Sequence, residues 1–180
     1  MQGDPDGPPR GLLLAALTLA VAAIAAVLTL AATRQHSPAA PVVIAAIPAP
    51  QADGPECRSL VDTLPDRLGD FVRADTAAPT PAGAAAWRGD NAAGGQPVVM
   101  RCGVDRPAEF VVGAPIQLVN EVQWFRMADA ASGRVTWLCV DRPAYVALTL
   151  PDGSGPAPIQ ALSDVIERTM PAMPIRPGKP

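Results

Sequence analysis

Hydrophobic positions fall into three regimes along this chain. From Gly11 to Thr33 they are nearly continuous: "GLLLAALTLAVAAIAAVLTLAAT" is 23 residues without a charge, lying between Arg10 and Arg34. At ~1.5 Å per residue, a helix of that length covers roughly 34 Å, enough for the hydrocarbon core of a bilayer. Its seven Leu, two Val and one Ile favour insertion by roughly 3 to 6 kcal/mol in total. From Cys57 the apolar positions Cys57, Leu60, Val61, Leu64, Leu68, Phe71 and Val72 recur at helical spacing. Pro65 interrupts them and should end one short helix near Leu64 and begin another. A second helical stripe runs through Ile159, Leu162, Val165, Ile166, Thr169 and Met170, with Pro158 placed to start it.

Between the stripes the period changes to that of strands. "PVVMRCGV" (97–104), "EFVV" (109–112), "IQLVNEVQWFRM" (116–127), "RVTWLCV" (134–140) and "YVALTL" (145–150) are rich in Val, Trp, Phe and Leu and bounded by turn residues. Val42, Val43, Ile44 and Ile47, between prolines, read as a short edge strand. Thr76 to Gln96 reads as a long Pro/Gly/Ala loop containing Trp87. With Asp129–Ser132 as a hairpin loop, Trp124 falls opposite Trp137 and Val122 opposite Cys139. The next turn, Asp141–Ala144, sets Val140 opposite Tyr145. The expected fold is α+β: one N-terminal transmembrane helix, then a small antiparallel sheet flanked by two helices. The expected boundaries are a disordered stub (1–10), the membrane helix (11–33), a stalk (34–40), an extracytoplasmic α+β domain (41–170) and a disordered, solvated Pro-rich tail (171–180).

Charge and cysteine usage decide how that chain is placed. The net charge is −3 with both signs interspersed, so neither a nucleic-acid footprint nor a polybasic membrane patch is present. The apolar run is longer than a signal-peptide core of about 7–15 residues and Leu30–Thr33 lacks a small-x-small site, which favours an uncleaved single-pass signal anchor. The segment meeting the bilayer is Leu12–Ala32, with the larger C-terminal part exported. Three cysteines behind such a segment meet an oxidising compartment, where two should pair. The expected pair is Cys57–Cys102, stapling the first helix to the sheet, with Cys102–Cys139 its rival. Cys139, between Leu138 and Val140, looks like a buried small hydrophobe.

One pentapeptide, Val-Asp-Arg-Pro-Ala, occurs at 104–108 and again at 140–144. Asp and Pro give it turn chemistry, which favours strand ends that enter turns. The alternative is a duplicated binding element in which Arg106 and Arg142 flank one anionic ligand, with Asp105 and Asp141 beside them as further candidate ligand contacts.

The blocks "PVVIAAIPAP", "CRSLVDTLPDRL", "AAW", "PVVMRCGVDRPA", "VNEVQWF" and "VDRPAYVAL", in that order, resemble the family known as domain of unknown function 3515. The resemblance runs from about Pro41 to Met170 and implies a single-pass membrane or exported protein of high-GC Gram-positive bacteria. It implies cysteines at Cys57 and Cys102, and brings no established activity. Cys139 departs from the family pattern, as does the insertion "RGDNAAGG" after Trp87.

Catalytic constellations are scarce. The sole histidine, His36, belongs to the stalk, so a Ser-His-Asp site is disfavoured. Three scattered cysteines make a poor zinc site, no Gly-rich phosphate loop occurs, and Cys-x-x-Cys is missing. No cofactor or metal is therefore expected. The leading reading is a membrane-anchored, non-catalytic cell-envelope domain that binds or organises an envelope protein or cell-wall partner. The alternatives are an envelope enzyme using its Asp/Arg pairs, or a small-ligand module with a pocket under the Ala/Pro loop.

Overall fold

The computed structural model describes residues 10–35, 40–89, 95–129 and 131–179. His36, the stub up to residue 9, most of the stalk and most of the insertion after Trp87 lie outside the described residues. The chain divides into two units, residues 1–39 and 40–180.

In the first unit, helix α1 (Arg10–Gln35) runs for 26 residues, and Gly11–Leu30 within it is long and apolar enough to cross a bilayer. Its large apolar side chains, from Leu12 to Leu30, are each more than half exposed. A helix apolar on every side needs lipid or a protein core around it. The segment fits a membrane anchor or a signal sequence.

The second unit is built from α2 (Pro55–Asp62), β1 (Arg67–Leu68), β2 (Phe71–Ala74), β3 (Ala84–Gly89), β4 (Val98–Cys102), β5 (Ile116–Val119), β6 (Val122–Asp129), β7 (Arg134–Cys139), β8 (Val146–Pro151) and α3 (Ala157–Thr169). The strands form one antiparallel sheet in the order β1-β2-β3-β4-β8-β7-β6-β5. Both helices lie on the same face of it. Cys57 and Leu60 of α2, with Ile159, Leu162, Val165 and Ile166 of α3, pack on Trp87, Met100, Trp124, Cys139 and Leu148. Two buried indoles are tied in by their N–H groups, Trp87 to the Pro65 carbonyl (3.0 Å) and Trp124 to Ser163 Oγ (2.9 Å), as buried tryptophans require. Non-helical chain covers the opposite face: Val42 and Ile44 over Ala84, Ala86 and Val99, and Val104 and Phe110 over Phe125, Leu138 and Ala147. This is the expected α+β architecture, with eight strands. The Cys57–Cys102 disulfide joins α2 to β4, and Cys139 is a free, buried thiol.

Several local expectations are overturned. After Pro65 the chain forms the β1–β2 hairpin instead of a second helix. Gly69 turns at φ +59°, and a Cβ there would stand 2.7 Å from Ala157 Cβ, so the site needs glycine for both its turn and its close approach. The expected Ala/Pro loop contains β3. Its alanines carry no strand preference, but Ala84–Trp87 are buried between β2 and β4, and burial overrides propensity. "EFVV" is a turn: Phe110 is buried, Val112 is 63 % exposed, and only Val111 makes a bridge, to Gly178. "IQLVNEVQWFRM" is a hairpin whose turn holds Asn120 at φ 51°, a conformation asparagine tolerates. The expected edge strand near Val42 is reduced to one bridge with Thr76.

The β6–β7 register differs by two residues from the one expected. Trp124 faces Cys139, Arg126 faces Trp137, and Asp129 faces Arg134. Gly133 is spent on the turn at φ +62°, where its freedom is worth more than in a strand. Because the slip is even, both indoles keep the same face. The β7–β8 register, with Cys139 opposite Val146, continues the expected Val140–Tyr145 alignment. The Pro-rich tail is largely exposed yet held: Met173 N–H donates to the Asp141 carbonyl (2.8 Å), Gly178 N–H to that of Phe110 (2.8 Å), and Ile175 packs on the second core.

Candidate binding cleft

Trp137 differs from the other two tryptophans. It lies on the helix-covered face of β7, yet only partly packs on the core. Its N–H makes no hydrogen bond among the described residues and is not among the buried unpaired atoms. The reason lies in where α3 begins. The chain leaves β8 through Pro151–Pro156, with Gly153 and Gly155 at positive φ, and the helix starts only at Ala157. Among the described residues, no helix covers the sheet beyond that start.

A cleft of about 540 Å³ results, inside the range of natural ligand pockets. Trp137, Leu150 and Ile159 supply apolar surface, and Gln117, Asn120 and Gln160 supply primary amides. Asn120 is held by Asp164 and by the Gln160 carbonyl through its Nδ2, leaving its own amide oxygen free to accept. Gln117 and Gln160 side chains are exposed and make no hydrogen bond among the described residues. A recess of about 200 Å³ shares Trp137, Leu150 and Gly155 with this cleft and adds Arg126, Asp152 and Ser154. The Arg126 guanidinium lies 5.9 Å from the Trp137 ring centre, within cation–π reach.

The residues singled out from the sequence lie elsewhere, and differ from one another. Asp141 and Arg142 are 3 % and 5 % exposed and paired at 2.8 Å. Arg142 also donates to the carbonyls of Asp141 (3.1 Å) and Glu121 (2.7 Å). That second Asp-Arg pair thus ties the β7–β8 turn to the β5–β6 turn, and Cys139 Sγ lies 3.6 Å from Asp141 Oδ1. By contrast Asp105 and Arg106 are exposed. Arg106 Nη1 donates to the Phe110 carbonyl at 3.4 Å and lies close over Gly178. Asp105 borders a cavity of about 300 Å³ on the opposite face, with Arg101, Thr136 and Thr149. Burial, then the charge of Arg134, lowers the Arg101 pKa. Among the described residues no hydrogen bond or ion pair links the two Asp-Arg copies. Their shared property is a strand end running into a turn.

Sequence reasoning assigned Trp137 to packing alone. The only sequence signal for the cleft was the run of glycines and prolines before α3, which postpones the helix. Among the described residues no three His, Cys, Asp or Glu side chains cluster as metal ligands would; the polar side-chain groups lining the cleft are amides and an indole N–H. No curated protein and no solved structure matches the chain. A family model described as "Protein of unknown function (DUF3515)" matches residues 17–175, which takes in most of α1, the disulfide, the whole sheet and α3, and the chain belongs to that family.

Proposed function

We propose that this is a membrane-anchored protein whose C-terminal unit is an extracytoplasmic binding or scaffolding domain of the cell envelope, engaging an envelope protein or cell-wall component. The observation that carries the reading is a disulfide within the folded unit, Cys57–Cys102, in a chain that begins with an apolar helix. Structural disulfides persist where the surroundings are oxidising, and the helix supplies both the route there and the tether. The Trp137 cleft supports the binding role: its walls offer stacking, apolar contact and hydrogen bonds, the means of recognition. A tag after Pro180 tests the topology. External protease should remove the domain from intact cells, while a cytoplasmic marker survives. Protection in intact cells together with cleavage after lysis would overturn the reading.

A further inference from the structure

We propose that the Trp137 cleft binds a neutral saccharide chain, with one sugar ring stacked on the indole. This names a ligand class for the binding role above and rests on that role for its biological setting. The geometry carries it in three steps. First, Trp137 is the one tryptophan of three whose ring is neither fully buried nor tied by its N–H, so a flat apolar plate and a free donor stand together at the cleft. Second, the ten residues lining the larger cleft include no ionisable side chain. A charged ligand would find no counter-charge in the larger cleft, where burying its charge would be costly; the smaller recess beside it adds one group of each sign, Arg126 and Asp152. Third, the polar groups that are present are the amides of Gln117 and Gln160, which both donate and accept, and the amide oxygen of Asn120, which accepts. Vicinal hydroxyls and acetamido groups have the same dual capacity, and the apolar C–H face of a pyranose ring matches the indole. The smaller recess beyond Trp137 extends the groove past one ring, so an oligosaccharide fits better than a monosaccharide.

A peptide is the competing occupant. The edge strand β5 could offer its backbone to one, but the cleft is lined by side chains on the sheet's face, and its plate is two strands in from that edge.

The full chain, purified in a detergent without sugar headgroups, is titrated with the tetramer of N-acetylglucosamine and with maltotetraose by calorimetry and ligand-detected saturation-transfer NMR. The expected result is saturable binding of at least one tetrasaccharide, with little change between low and high salt because the ligand is neutral. Trp137→Ala should weaken it at least tenfold and Trp137→Phe less. Gln160→Ala, on an exposed position that leaves packing alone, should weaken it severalfold, and Asp105→Asn on the opposite face should leave it unchanged. Absence of saturable binding by both sugars overturns the proposal. So does binding that survives both Trp137→Ala and Gln160→Ala, binding that collapses with salt, or saturable binding of a random hexapeptide pool alone. The assay is independent of topology, so its failure leaves the export reading standing, and a cytoplasmic domain would leave the cleft chemistry standing.

Discussion

Arg142 shows how context decides what a motif does. Arg106, in the same pentapeptide, is exposed and holds one carbonyl. Arg142 is 5 % exposed and holds the Asp141 carboxylate and two carbonyls. Removing one partner of a buried pair strands the other charge, so Arg142→Ala should cost about 3–5 kcal/mol. Arg106→Ala should cost no more than about 0.5 kcal/mol. Chemical denaturation of the two variants checks the contrast, and equal midpoints would show that Arg142 is dispensable. Cys139 lies against the same carboxylate. Burial, then the charge of Asp141, pushes its thiol well above the ordinary range. The folded thiol therefore keeps its proton while the unfolded one, near pH 8.5, begins to lose it. Folding stability from this site is complete below about pH 8.5 and falls as pH rises further, by at most about 1.4 kcal/mol per unit. Measured between pH 7 and pH 10, the stability of the native chain should decline more steeply than that of Cys139→Ala. Parallel profiles would remove Cys139 as the cause.

At the scale of elements, the long-range tie between α2 and β4 dominates. Its 45-residue separation corresponds to about 4 kcal/mol of loop-closure entropy. Cys57→Ala with Cys102→Ala should lower unfolding stability by that order, and a loss below about 1 kcal/mol would mean that packing alone sets the unit. The residue after Cys102 is equally constrained. Gly103 has φ +82°, and a Cβ there would stand 2.3 Å from Ala52 N and 2.4 Å from the Gln51 carbonyl carbon. Gly103→Ala should destabilise by at least about 2 kcal/mol, read as a fall in Tm, while Gly153→Ala, with φ strain but open space, should cost less. Which elements were legible follows the same physics. α1 and α3 announce themselves by composition and period, and the Asp141–Ala144 turn by Asp and Pro. Strand β3 does not, because "AAAW" owes its state to burial between two neighbours and not to its own preferences. The β1–β2 hairpin was hidden because Leu68, Phe71 and Val72 also satisfy a helical period, and only the contact of Gly69 with Ala157 discriminates. The cleft was out of reach for a related reason: it is made by where α3 starts relative to β5 and β7, a relation between segments distant in sequence.

For the whole molecule, the cysteines connect fold to compartment more directly than any other residues. The sheet does not need the disulfide to define its topology: β4 is held between β3 and β8 by its own ladder. What the bond adds is resistance to opening where α2 meets the sheet, and it adds this only where thiols oxidise. Cys139 reports the complementary quantity, because it is shielded by the same core and has no partner to oxidise with. The three thiols together thus read out location and folding at once. Chain isolated from membranes under alkylating conditions, without reductant, should carry no label while folded. Denaturation alone should expose one thiol, Cys139, and denaturation with reduction all three. Intact-protein mass spectrometry counts the labels. A count of three on denaturation without reductant would place the unit in a reducing compartment and remove the argument for export. A count of one in the folded state would instead locate an opening beside β7, where Asp141 and Arg142 hold the turns together.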